Sequence, residues 1–306
     1  MIPKQKKKVK KTHDVAPRLE SELAVTSLIP PVENMPRIKH FANLGDIIAV
    51  MPALKTYYEV TKRKVIFVQQ CNQLAQYYSG AVHPTVNEHG QNVCVNDAMY
   101  EMIKPLVESQ EYVHHMEKYE GQKIDLDFDV IRGKTFVGMP NLMIQSWISY
   151  AFPDLAWDLS KAWINLPDIP NHSIKKQVSG KVILNFTERY RNEQIDYFFL
   201  QHYAPDLIFA GTEKEHFLFC SRWGLSIPRL EVKNFLEYAY AIKYSKFLIG
   251  CQSFGWNIAQ AILHPRIVEL CRYAPNVQPN VGENSYGFFY QVGCEYYFRK
   301  LYNETK

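Results

Sequence analysis

The sequence predicts an α/β protein of two domains, each a parallel sheet covered by helices, facing each other across a cleft. Three observations carry this. Residues 37–68 read strand–helix–strand, the order of a parallel βαβ unit. A second run of short apolar strands and helices fills 181–270, and a turn-rich break at 166–180 separates the two. A chain of 306 residues suits two modest α/β domains.

The elements follow in order. Residues 1–35 form a basic, proline-rich lead without a packing pattern, expected to be disordered. The first domain spans 36–170. Residues 37–42 read as a short strand, followed by a turn at Asn43-Leu44-Gly45-Asp46. A helix is expected from Asp46 to Val60, because Ile47, Ile48, Met51, Leu54 and Tyr58 recur at helical spacing. Pro52 falls early enough in it to be tolerated. Residues 64–68 are a buried strand, 93–120 a charged helical region, 124–130 an alternating strand and 142–152 an amphipathic helix. Leu166–His172 and the polar run to Gly180 mark the domain boundary. The second domain, 181–285, has expected strands at 181–186, 206–211, 246–250 and 266–270, and helices at 235–244 and 254–263. Residues 286–306 are rich in tyrosine and phenylalanine.

Charge narrows the partners. The net charge is +4, yet six lysines lie in residues 1–11, and removing them takes +4 to −2. The basicity is therefore a tail on a nearly neutral body. It reads either as a solubilising arm or as an arm that contacts DNA or an anionic membrane surface. The six cysteines are scattered with no CxxC pair, no secretory signal stands out, and no run of about 18 apolar residues occurs. These features point to a cytoplasmic protein with reduced thiols, peripheral at a membrane if the arm binds one. No stable protein partner is implied. Aromatic residues make up 14%, which serves a core or a surface that stacks sugars or bases.

Several chemistries lack their motifs. The chain has no GxxxxGK[ST], no GxGxxG after the first strand, no GxSxG, no HExxH and no Cys/His zinc spacing. What remains points to an anion site. Gly45-Asp46 sits where a polar loop enters an apolar helix, close to backbone N–H donors. Thr187, Arg189 and Arg191 directly follow the first strand of the second domain, at the end where ligands of parallel sheets bind. Arginine suits a diphosphate because its planar fork donates twice. The Gln252-Ser253-Phe254-Gly255 loop opens a helix whose N–H groups can also meet phosphate. Gly211 and Glu213 follow another strand, where the carboxylate could hold a ribose hydroxyl. Glu269, at the end of a strand, is read the same way.

Two segments resemble a known family. GDIIAVMPALK (45–55) is similar to the N-terminal signature of family 9 glycosyltransferases, the lipopolysaccharide heptosyltransferase group. FLIGCQSFGWNIAQAILHPRIVEL (247–270) resembles that family's nucleotide-sugar segment, and the likeness covers roughly residues 37–275. The family's Asp-Thr or Asp-Ser-Gly loop is replaced here by Cys251-Gln252-Ser253-Phe254-Gly255. The usual Gln-Gly is also missing after Asp127 and Asp129, so the sugar is left unassigned.

The resemblance implies a GT-B fold of two Rossmann-like domains, an acceptor domain followed by a nucleotide-sugar domain. It implies that 286–306 packs back on the first domain, and that Asp46 is the base of an inverting transfer. The donor would be a nucleotide diphosphate sugar, and the acceptor a saccharide or glycolipid hydroxyl. No cofactor would be required if the protein supplies the positive charge. Asp46 as a simple helix cap is the competing reading. Asp125, Asp127 and Asp129 recur at period two and contain Asp-x-Asp, so a Mg²⁺ or Mn²⁺ site is an alternative there. Two other functions stay open: a transferase acting on a hydroxymethylated DNA base, which the lysine arm motivates, and a non-catalytic nucleotide-sugar-binding protein.

Overall fold

The computed structural model describes residues 35–75, 85–132, 144–170, 172–271 and 282–305. The lysine arm lies outside them. The first sheet contains β1 (Arg37–Lys39), β2 (Val65–Gln69), β3 (Val113–Lys118) and β4 (Leu126–Asp127), in the order β3-β2-β1-β4 and parallel throughout. The second contains β5 (Val182–Asn185), β6 (Leu207–Phe209), β7 (Phe247–Cys251), β8 (Arg266–Glu269) and β9 (Ser285–Phe288), in the order β6-β5-β7-β8-β9 and again parallel. The helices are α1 (Leu44–Thr61), α2 (Asp97–Glu108), α3 (Ile144–Ala151), α4 (Lys175–Val178), α5 (Glu213–Trp223), α6 (Phe235–Tyr244), α7 (Phe254–Ala261) and α8 (Gln291–Glu304). None of the described helices is long and apolar enough to cross a membrane.

Helix α1 is the keystone. Ten of its residues are buried, because it packs between α3 of its own domain and α7 of the second. Gly45 allows that approach: a Cβ there would lie 3.1 Å from Asn257 Nδ2 on α7. One apolar core accordingly runs through both domains, from Ile38 and Leu54 to Ile183 and Ile258. The connecting segment adds polar ties. The Trp163 and Ile164 amides donate to Ala261 O at 3.0 and 3.2 Å, at the end of α7. The Trp163 indole donates to Ile48 O in α1 at 3.0 Å. That carbonyl would ordinarily take the N–H of residue 52, which is proline and has none. Trp163 therefore fills the gap that Pro52 opens.

Three expectations need correction. The region 93–120 is not helical throughout, since its second half is the edge strand β3. The acidic stretch is a strand for only two residues before turning into a 3-10 helix at Phe128–Arg132. Its carboxylates recruit backbone donors: Asp125 accepts from the Arg37 amide and Asp129 from the Phe41 amide, both 88 positions away, and Asp127 from the Asp129 amide. Lys39 lies 2.6 Å from Asp127 and 3.6 Å from Asp129. Finally, the described residues of the C-terminal segment pack on the second domain rather than the first. Strand β9 extends the second sheet, and α8 seats Cys294, Phe298 and Leu301 in the core of that same domain. Their spacing of four and three residues puts them on one helix face.

Candidate active site

A cavity of about 630 Å³ opens between the domains. Its floor is the carboxyl end of the second sheet, and its opposite wall is the first turn of α1.

Asn185 organises the floor. It ends β5, donates Nδ2 to Ala210 O at 2.6 Å after β6, and accepts from Ser253 Oγ at 2.6 Å after β7. One buried side chain thus joins three strand ends. Glycine is required on both sides of it. A Cβ at Gly250 would lie 2.2 Å from Asn185 O, and one at Gly255 would lie 2.3 Å from Tyr238 Oη and 2.6 Å from Asn185 Oδ1. Because the Ser253 hydroxyl is committed to Asn185, it does not cap α7, although Ser253 holds the N-cap position. The first turn of α7, Phe254 to Trp256, lines the cavity and presents its backbone dipole there. Gln252 also borders the cavity, but its Oε1 holds the Cys271 amide at 2.7 Å.

The loop after β5 divides its two arginines. Thr187 Oγ1 donates to Arg189 O at 3.0 Å, and Thr187, Arg189 and Tyr190 line the cavity. Arg191 turns inward instead. Its Nε meets Glu269 Oε1 at 3.1 Å, and its guanidinium lies 4.9 Å from the centre of the Phe186 ring. Glu269 is fully buried and also accepts from Tyr197 Oη at 2.5 Å and from the Asn192 amide. Burial opposes the Arg191 charge, and Glu269 more than offsets it, so the cation is held firmly. Arg191 and Glu269 are thus paired with each other and do not line the cavity. They anchor the loop that presents Arg189.

Glu213 is corrected in the same way. It is exposed on the first turn of α5 and does not line the cavity, whereas Glu215 does. Glu215 Oε2 accepts from the Thr212 amide and hydroxyl, both at 2.9 Å, and the Glu215 amide donates back to Thr212 Oγ1 at 3.2 Å. This is a capping box. Burial raises the Glu215 carboxyl above the ordinary glutamate range. Gly211 borders the cavity beside it, and a Cβ there would lie 2.7 Å from the Phe209 ring.

On the opposite wall, Asp46 lies in the first turn of α1, whose N-cap is Asn43. It is therefore not the cap. Asp46 Oδ2 pairs with Arg132 Nη2 at 2.7 Å. Burial opposes the Arg132 charge, and the Asp46 carboxylate outweighs it. The 3-10 helix that carries Arg132 is pinned by Asp129, which meets His40 Nδ1 at 3.1 Å and the Phe41 amide at 2.9 Å. Among the described residues, no group of three or more His, Cys, Asp or Glu could hold a metal ion.

The cavity thus brings together Gly45, Asp46, Thr187, Arg189, Gly211, Gln252 and Ser253, and leaves out Arg191, Glu213 and Glu269. Sequence reasoning missed Asn185, Glu215, Arg132 and Tyr190. The Thr212-x-x-Glu215 capping pattern was a usable signal for one of them. Nothing local marks Arg132, whose partner lies 86 positions away.

No family model matches the chain, and no curated protein matches it in sequence. Solved structures do match. The E. coli ADP-heptose lipopolysaccharide heptosyltransferase II aligns with a TM-score of 0.57 at 12% identity, over 88% of this chain and 99% of that one. A family 9 glycosyltransferase from Veillonella parvula aligns at 0.48 and 10% identity, over 92% of each chain. The E. coli heptosyltransferase WaaC with ADP-2-deoxy-2-fluoro heptose aligns at 0.47 and 10% identity, over 87% of this chain and 99% of that one. The fold assignment rests on the first of these. The chain shares the GT-B fold of that heptosyltransferase, two parallel α/β domains facing across a cleft.

Proposed function

We propose that the chain is an inverting glycosyltransferase that moves a sugar from a nucleoside diphosphate donor to a saccharide or glycolipid hydroxyl. One observation carries the reading. A carboxylate on one domain, Asp46, faces an anion-holding set on the other, the first turn of α7 with Arg189, across a single cavity. The similarity to heptosyltransferase II, an ADP-heptose enzyme, supports the donor class.

The chemistry follows from that opposition. The acceptor hydroxyl gives its proton to Asp46 as its oxygen attacks the anomeric carbon. The bond from that carbon to the phosphate oxygen breaks, and the diphosphate leaves with the electron pair. Attack opposite the leaving group inverts the configuration. Arg132 holds Asp46 through Oδ2, which leaves Oδ1 for the hydroxyl. The α7 amides and Arg189 take up the charge on the diphosphate without a metal ion. Removing a general base of this kind lowers turnover by about 10²- to 10⁴-fold. Asp46→Asn should therefore lose at least about 100-fold in product formation, while nucleotide affinity stays within about twofold. Undiminished transfer by Asp46→Asn, measured as release of nucleoside diphosphate in the presence of acceptor, would remove Asp46 from the mechanism.

A further inference from the structure

Five described non-glycine residues have positive φ. Lys62 closes α1, Leu263 lies in the turn after α7, and Asn72 and Asn284 are of a type that tolerates this backbone. Tyr190, at φ 58°, has none of these excuses. It lies in the loop after β5, on the cavity wall, and ends no helix. Glycine would adopt this conformation without strain, whereas tyrosine adopts it only when its surroundings dictate it.

The surroundings do dictate it. On one side, the Thr187 amide donates to Cys251 Sγ at 3.3 Å, and Thr187 Oγ1 holds Arg189 O. On the other, Arg191 and the Asn192 amide are fastened to buried Glu269, and Asn192 Nδ2 donates to Phe289 O at 2.9 Å. The left-handed residue lies between these anchors. Arg189 and Tyr190 border the cavity while Arg191 enters the core. The Arg189 guanidinium carbon lies 5.0 Å from the centre of the Tyr190 ring, so the cation and the aromatic face form one unit at the ligand-facing edge.

We propose that Tyr190 is a specificity-determining stacking platform for the donor. Its ring takes one ring of the nucleotide-sugar, the flat base or the C–H face of the pyranose, while the adjoining Arg189 takes the diphosphate. The inference rests on the donor reading above. The anchors around the loop are what hold the tyrosine in a conformation its own backbone disfavours.

Three variants test it: Tyr190→Phe, Tyr190→Leu and Tyr190→Gly. Each full-length protein is melted without ligand, then titrated calorimetrically with ADP, UDP and GDP and with ADP-glucose, UDP-glucose and GDP-mannose. Tyr190→Phe should bind within about twofold of the parent, and Tyr190→Leu about 10-fold more weakly, as for lost ring stacking. Tyr190→Gly should bind at least as weakly as Tyr190→Leu yet melt at or above the parent temperature, because it relieves the strained backbone. Weakening of both the nucleoside diphosphate and its sugar conjugate assigns the ring to the base. Weakening of the conjugate alone assigns it to the sugar. Parent-like binding by Tyr190→Leu overturns the platform, as does a lower ligand-free melting temperature for Tyr190→Gly with binding intact. Failure of the parent to bind any of the six overturns the donor reading, and the platform with it.

Discussion

Pro52 and Trp163 lie 111 positions apart but are linked through a single carbonyl. Pro52 deprives Ile48 O of its intrahelical donor, and the Trp163 indole replaces that donor at 3.0 Å in a site where Ile48 and Trp163 are fully buried. Trp163→Phe removes the donor and leaves the carbonyl buried without a partner. That costs about 1–3 kcal/mol, in addition to the packing lost with the smaller ring. Pro52→Ala restores an amide four residues after Ile48, so the helix satisfies the carbonyl itself. In the double variant the carbonyl penalty disappears, and only the packing loss remains. The cycle should therefore show a coupling of about 1–3 kcal/mol, with the double variant more stable than the sum of the singles. Urea unfolding of the four proteins, followed by tryptophan fluorescence and far-UV circular dichroism, gives the number. Additivity within about 0.5 kcal/mol would refute the exchange of donors.

Two further outcomes follow. Glu269→Ala strands the Arg191 cation, Tyr197 Oη and the Asn192 amide in the core. It should cost about 3–5 kcal/mol, read as a large fall in melting temperature, and an unchanged melting temperature would show that the pair does not anchor the loop. Glu215 gives a pH dependence. Its folded carboxyl is raised above the ordinary 4.5 by burial, so this contribution to stability is present below that pH and lost as pH rises through the folded value. Glu215→Gln does not titrate, and its melting temperature should gain on the parent as pH rises above about 4.5. A difference that stays constant over that range would contradict the assignment.

The second sheet was readable because its central strands are short apolar runs buried on both faces, such as Phe247–Cys251. Strand β3 was not, because an edge strand containing two histidines, a glutamate and a lysine buries only Val113 and Met116. The period-two acids at 125–129 imitate a half-exposed strand. Asp127 captures the Asp129 amide two residues on, while Asp125 and Asp129 take amides of the first strand region 88 positions away, interactions that alternation does not encode. The candidate site was readable in part for a similar reason. Loops after strands could be located, and with them Arg189 and the Gln252–Gly255 turn. Which of two nearby arginines faces the cavity depends on Glu269, 78 positions from Arg191. The choice between Glu213 and Glu215 depends on a helix start that was not foreseen.

The central claim is that the cleft holds a nucleoside diphosphate between the first turn of α7 and Arg189. The most direct measurement is calorimetric titration of the parent and of Arg189→Ala with the nucleoside diphosphate that the parent binds best among ADP, UDP and GDP. The account predicts saturable one-to-one binding without added metal, weakened at least about 10-fold in Arg189→Ala while its melting temperature stays close to the parent's. Absence of binding to the parent, or equal affinity in the two proteins, would contradict it.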